Sequence, residues 1–275
     1  MTCFAMNYEL LQIIFLPFIT AFITTAIVTP IVIRFAKRYL LDDPSRQNHP
    51  AMIHKKPIPR GGSIALFVGV LTAIILFLPG NQTTIAILAA SFLALSIGIV
   101  DDRLNAQAKD VSPYLRFLIN IITAIIVVAN GISIHFITNP FGGILHLDQI
   151  LIPLGAIPLQ LLFSDVVSVI WLIWIMNMLN WSKGVDGQMP GIVAISAIII
   201  GILSLRLTNM SPGTVDAQLS FIIAGSAIGF LLYNFYPAKI FPGYGATSIY
   251  LLLGVASILT SAKLATAILV MGVPT

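Results

Sequence analysis

Apolar runs of membrane-helix character succeed one another from Leu11 to Thr260, joined by short polar segments. A hydrocarbon core takes about 20 apolar residues per helix, and a helix satisfies its own backbone hydrogen bonds where no water can. The runs are Leu11–Phe35, Ser63–Leu78, Thr83–Val100, Leu115–Ile134, Leu159–Leu179, Gly191–Leu207, Leu219–Phe235 and Ser248–Thr260. A last run, Ala262–Val273, reaches only about two-thirds of a spanning length. The pattern predicts an all-α polytopic transmembrane bundle: eight spans, an incomplete ninth, and one integral membrane domain over residues 1–275. The short last run leads us to expect a C-terminal truncation.

Composition excludes the other classes. Hydrophobic residues make up 58% of the chain and charged residues 9%, against about a quarter charged in soluble domains. Disorder and a coiled coil fail on the same figures. Cys3 is the one cysteine, which removes a disulfide framework and a Cys-based metal site. The first run is too long for a signal-peptide core and is followed by Lys37 and Arg38. Basic residues then fall mostly on one side. Lys37, Arg38, Arg46, Lys55, Lys56 and Arg60 precede the second run, and Arg103, Lys109, Lys183 and Lys239 follow at alternate joints. Arg206 and Lys263 belong to the other side. By the positive-inside rule the N-terminus is outside and the polar joints face the cytoplasm. The net charge of +4 therefore reads as orientation and phosphate binding, with no nucleic-acid partner. On the outer side, Ile137–Pro158 carries Asn-Pro and Gly-Gly punctuation that predicts a small hairpin. His135 and His146 read there as outer-surface residues. Gly225 and Gly229 form a small-x-x-x-small pair suited to close helix packing.

Four polar segments carry the chemistry. Asp101-Asp102 closes an apolar run; the pair reads as a solvated helix end, as hard oxygen ligands for magnesium with substrate phosphates, or as a base. Asn177 and Asn180 share a helix face and lead into a Gly-Val-Asp186-Gly turn; they read as packing amides or as ligand contacts. His54-Lys-Lys56-Pro-Ile-Pro-Arg60-Gly-Gly reads as a topology determinant that holds anionic membrane lipids, or as a phosphate site. The fourth, from Asn234 through Lys239 to Gly245, reads as turn punctuation or as a place of close backbone approach to a phosphate or base.

In this order and on one side, the four segments resemble the polyprenyl-phosphate N-acetylhexosamine-1-phosphate transferases, including the phospho-N-acetylmuramoyl-pentapeptide and GlcNAc-1-phosphate transferases. The resemblance rests on H-K-K-P-I-P-R-G-G, D-D, N-M-L-N-W-S-K-G-V-D-G and N-F-Y-P-A-K-I-F-P-G. It implies transfer of a phospho-N-acetylhexosamine from a UDP-sugar to a polyprenyl phosphate, with release of UMP, at the cytoplasmic face of the cell membrane. It also implies Mg2+. Asp101, Asp102 and Asp186 would be the catalytic and metal residues. Asn177, Asn180, Lys56, Arg60, Asn234 and Lys239 would bind substrate. A homodimer is compatible with the resemblance.

Three departures stand out. The family commonly has an aspartate where this chain has Tyr244, and another where it has Lys183; its His-rich loop would follow residue 275. A phenol cannot replace a carboxylate as a ligand at neutral pH. The departures allow either an altered magnesium site of Asp101, Asp102 and Asp186 or an inactive or incomplete member, with a non-catalytic binding or scaffold role as one competing expectation; a transporter of lipid-linked or anionic solutes is the other.

Overall fold

A computed structural model describes residues 14–40, 58–107, 109, 111–138, 143–153, 160–207 and 215–260. Eight α-helices lie among them: α1 (Leu16–Tyr39), α2 (Ser63–Phe77), α3 (Gln82–Ala106), α4 (Pro113–Val128), α5 (Phe163–Trp181), α6 (Gln188–Leu207), α7 (Val215–Asn234) and α8 (Thr247–Leu259). Local chemistry sets several ends. The Asn81 side chain accepts the Thr84 N–H at 2.8 Å and starts α3. Pro113 starts α4 at a position where its missing N–H costs nothing. A short 3-10 turn, Ser182–Gly184, closes α5, and another, Tyr244–Ala246, leads into α8.

α8 is the axis of the bundle. Every residue from Thr247 to Ile258 is buried, enclosed by α3, α5 and α7 with α2 and α6 beyond. α1 packs along α7 through the two glycines expected to do so. A Cβ at Gly225 would strike the Phe18 carbonyl, and one at Gly229 the Phe22 carbonyl. Polar side chains then join three helices where lipid offers no alternative partner. Thr25 Oγ1 donates to Ser226 Oγ at 3.0 Å, and Ser226 Oγ donates to the Leu66 carbonyl at 2.9 Å. The opposite side of α1 exposes Ile23, Ile27, Ile31 and Phe35, one stripe at fourfold spacing. An exposed aliphatic stripe of that kind suits lipid and is costly in water.

The helices correct several boundaries. The expected run Thr83–Val100 continues as helix to Ala106, so Asp101 and Asp102 lie inside the last turns of α3 and are buried. They are not a solvated helix end. Asn105 makes the continuation possible, because its amide donates to the Asp101 carbonyl at 2.9 Å and to the Asp101 carboxylate at 3.1 Å. Five helices are long and apolar enough to cross a membrane: Leu16–Tyr39, Gln82–Ala106, Phe163–Gly184 (with its 3-10 turn), Gln188–Leu207 and Val215–Asn234. The other three are shorter, because prolines and glycines such as Pro79-Gly80 and Gly61-Gly62 cut their apolar runs. The 13 residues of α8 rise about 20 Å, short of a hydrocarbon core about 30 Å thick. The expected ninth run, Ala262–Val273, lies outside the described residues.

The expected single hairpin between α4 and α5 is two. Strand β1 (Phe136–Thr138) pairs antiparallel with β2 (Ile144–His146), and β3 (Leu151–Pro153) pairs with β4 (Gln160–Leu162). His135 and His146 are exposed, as expected.

Candidate active site

The C-terminal ends of α1, α3, α5 and α7 meet the N-terminal ends of α2, α4, α6 and α8 at one end of the bundle. The described parts of all four polar segments therefore converge there, held by backbone hydrogen bonds. The loop before α2 is zipped to the loop before α8. Phe241 N–H donates to the Pro59 carbonyl, Gly62 N–H to the Phe241 carbonyl and Ser63 N–H to the Pro242 carbonyl, each at 2.9 Å. The turn after α5 is joined to the end of α7. Gly187 N–H is shared between the Asn234 carbonyl at 2.9 Å and the Asn234 amide oxygen at 3.1 Å, while Asp186 Oδ2 accepts the Ala238 N–H at 2.9 Å.

The two aspartates of α3 are both committed. Asp102 accepts the Tyr244 backbone N–H on Oδ1 at 2.8 Å and Oδ2 at 3.0 Å. Gly243 makes this approach possible. Its φ is +75°, and a Cβ at that position would run into the Asp102 carboxylate. Asp101 Oδ1 accepts from Arg116 Nε at 2.8 Å and from its terminal nitrogen at 2.7 Å. The Asp101 side chain is 4% exposed, so the guanidinium and the Asn105 amide supply the compensation that a buried carboxylate requires.

Tyr244 sits between cations. The Lys183 ammonium lies 4.6 Å from its ring centroid and the Arg116 guanidinium carbon 5.1 Å, within the range of cation–π attraction. The Asn120 side chain faces the Tyr244 hydroxyl and favours its ionised form. Lys183 is attracted by Asp102 and Asp101 and repelled by Arg60 and Arg116, which places all five charges in one electrostatic cluster.

A family description, Glycosyl transferase family 4, matches residues 84–261, from the start of α3 past the end of α8. A probable undecaprenyl-phosphate N-acetylglucosaminyl 1-phosphate transferase of Bacillus subtilis is 32% identical over 267 residues, covering 94% of this chain and 67% of the relative. The chain belongs to glycosyl transferase family 4. Two other similar proteins carry family names of the same kind. A decaprenyl-phosphate N-acetylglucosaminephosphotransferase of Mycolicibacterium smegmatis is 31% identical over 219 residues, 74% of this chain and 50% of the relative. A phospho-N-acetylmuramoyl-pentapeptide-transferase of Desulforudis audaxviator is 27% identical over 268 residues, 89% of this chain and 75% of the relative. The family-4 chain thus spans between half and three quarters of the length of these relatives. With its apolar helices, it is a multi-pass membrane protein.

Of the residues expected in this family-4 site, Asp101, Asp102, Asp186, Arg60, Asn177, Asn180, Asn234 and Lys239 all fall at this end of the bundle. Lys56 lies outside the described residues. Their surroundings differ. Asn234 is fully buried and spends its amide on structure: Nδ2 donates to the Ile240 carbonyl at 2.8 Å and Oδ1 receives Gly187. The Asn177 amide donates to the Ile173 carbonyl of its own helix at 2.8 Å. Asn180 Oδ1 is buried with no hydrogen-bond partner, so it is the better placed of the two amides to receive a ligand's N–H or O–H. Lys239 is exposed.

The expected magnesium can be tested against this donor set. Among the described residues no three His, Cys, Asp or Glu side chains gather into a group that could hold a metal ion. Asp101 is neutralised by Arg116, Asp102 is closed by the Tyr244 amide, and an ammonium and a phenol stand where carboxylates would be needed. Magnesium is usually held by one or two carboxylates together with waters and substrate phosphates; the two α3 carboxylates that would serve are already taken up by Arg116 and the Tyr244 amide, so the residues present do not fit it.

Sequence reasoning missed Arg116, Asn105 and Asn120. A signal existed for two of them. Arg116 and Asn120 stand four apart in an apolar run, hence on one helix face, and an ionisable residue in such a run is a functional candidate by default.

Proposed function

We propose that the protein transfers a phospho-N-acetylhexosamine from a UDP-sugar to a membrane polyprenyl phosphate, forming a lipid diphosphate sugar for envelope synthesis and releasing UMP. The supporting observation is the convergence of the four polar segments around Asp102 and Tyr244 at one end of the bundle. The relatives named above supply the substrate class, and the more similar of them are named for N-acetylglucosamine. All eight helices cross or enter the bilayer in this reading, with the N-terminus outside and the site on the cytoplasmic side, where the basic joints collect.

An oxygen of the lipid phosphate attacks the phosphorus that bears the sugar, and a new P–O–P linkage forms. The bond from that phosphorus to the bridging oxygen breaks, and UMP leaves with the bridging oxygen and the electron pair. A phosphate monoester loses its second proton near pH 6, so the attacking dianion needs no protein base. The protein's task is to bring two anions together, which oriented cations in a dry site accomplish. Arg60, Arg116 and Lys183 perform it here. Asp101 is a positioning residue that fixes the Arg116 guanidinium.

The experiment is UMP release from UDP-GlcNAc with undecaprenyl phosphate, using the protein in detergent or nanodiscs, with UDP-MurNAc-pentapeptide as the second donor. UMP formation that depends on the lipid acceptor supports the reading. Tight UDP-sugar binding without UMP formation would replace it with the non-catalytic role.

A further inference from the structure

Resting on the reading above, one feature of the site reaches past it. Lys183 and Tyr244 are two of the three departures from the resemblance, and they touch: the ammonium lies 4.6 Å from the ring centroid. Lys183 stands on the turn that closes α5 and is half-buried. Among the described residues its ammonium donates no hydrogen bond and makes no ion pair; its close contact is the face of the phenol. An ammonium carries three donors, and leaving them without acceptors in a half-dry position is costly. A ligand oxygen would remove that cost. Asn180, three residues earlier on the same helix face, presents the buried oxygen that also has no partner. The end of α5 and the turn that closes it thus carry a cation with spare donors three residues from an acceptor without a donor. This is the complement of a phosphate next to an N–H or O–H group, as in the diphosphate of an N-acetylated sugar.

The rest of the cluster fixes this arrangement. Arg116 is held over the same ring, 5.1 Å from its centroid, and is clamped by Asp101. The ring is anchored through its backbone N–H on Asp102, and its hydroxyl faces Asn120. Tyr244 therefore gives two like charges a shared attractive surface and defines where each stands. Arg60 joins the same electrostatic cluster from the loop before α2.

We propose that this protein binds the diphosphate of its nucleotide sugar with organic cations, Lys183 together with Arg116 and Arg60, seated on Tyr244, and that this binding requires no divalent metal.

The test measures UDP-GlcNAc binding to the full chain in nanodiscs by calorimetry, once in EDTA and once in magnesium, with UMP release followed in parallel. We expect the two affinities to agree within about threefold. Lys183→Met should weaken binding in EDTA by about tenfold or more, the scale of a lost charge-assisted hydrogen bond, whereas Lys183→Arg should retain most of it. Tyr244→Leu should weaken binding through displaced cations, and Tyr244→Phe much less. Lys183 is partly exposed on a turn outside the core, so Lys183→Met should keep the wild-type unfolding temperature, and a weakened variant that is still folded reports on the site. Binding that falls tenfold or more in EDTA and returns with magnesium overturns the proposal, as does wild-type affinity in Lys183→Met. Magnesium-dependent binding accompanied by UMP release would leave the transferase reading standing while refuting this one. Binding insensitive to EDTA with no UMP release would do the reverse.

Discussion

Asn234→Ala tests whether the site is held together from within or by its substrate. The Asn234 amide joins two loops of the site, donating to the Ile240 carbonyl at 2.8 Å and accepting the Gly187 N–H at 3.1 Å. Asn234 and Ile240 are both fully buried. Truncation strands the Ile240 carbonyl, at a cost of about 1–3 kcal/mol for a buried acceptor without a partner. The Gly187 N–H keeps the Asn234 backbone carbonyl at 2.9 Å, so its loss adds only about 0.5 kcal/mol. The sum is about 1.5–3.5 kcal/mol. At about 2–4 °C per kcal/mol for a chain of this size, the unfolding midpoint falls by about 3–14 °C. The assay is thermal unfolding in detergent, followed by intrinsic fluorescence. Asn177→Ala is the control, because the Asn177 amide bonds only to a carbonyl of its own helix. Its midpoint should move by less than about 2 °C. If Asn234→Ala unfolds with the wild type and loses only UDP-GlcNAc affinity, Asn234 is a substrate contact and the clamp reasoning is wrong.

Gly243→Ala should be worse for function than for folding, since its Cβ is driven onto the Asp102 carboxylate at a φ that L-residues avoid; we expect about 1–3 kcal/mol of destabilisation with UMP release falling at least about tenfold. Arg116→Ala leaves the buried Asp101 carboxylate uncompensated, and because the arginine is partly exposed we expect about 2–4 kcal/mol of destabilisation. Adding Asp101→Asn to Arg116→Ala should recover most of that stability in thermal unfolding but none of the activity; failure to recover would mean the pair is not the source of the loss. Gly225→Val should separate α1 from α7 at the Phe18 carbonyl and cost about 1–3 kcal/mol, read as a lower unfolding midpoint in detergent.

The architecture was legible where it depended on local pattern. Apolar runs locate all eight helices, and the Gly225/Gly229 spacing identifies the α1–α7 seam, because both signals are written within one stretch of chain. The limits of the pattern lie where distant residues decide. Helix α3 runs on through Asp101 and Asp102 because Asn105 and Arg116 engage Asp101 and the Tyr244 amide engages Asp102; a hydropathy window sees two acids and stops at Val100. The Asn234 amide, expected to bind substrate, bridges Gly187 and Ile240, partners that lie on loops far apart in sequence and together in space. The resemblance brought out the polar segments of the site. It could not reveal Arg116 or Asn120, which stand on α4, outside those segments.

Lys183 and Tyr244 look in sequence like two independent losses, one carboxylate turned into a cation and another into a phenol. In space they are one exchange. A carboxylate at position 244 would stand beside Asp102 and Asp101, and three acids so close stay ionised together only with a strong compensating cation among them. A lysine at position 183 supplies that positive charge from the protein. Once it is present, a carboxylate at 244 would engage the ammonium in an ion pair and use up the charge intended for a phosphate. An aromatic face holds the same ammonium by cation–π attraction without neutralising it, leaving its donors available to an anionic ligand. Each replacement thus makes sense only in the presence of the other. Arg116, already fixed by Asp101, meets the same ring. Degenerate drift would be expected to leave a buried charge uncompensated; here both carboxylates of α3 are hydrogen-bonded and, among the described residues, the Lys183 ammonium makes no ion pair, as the proposed diphosphate binding requires.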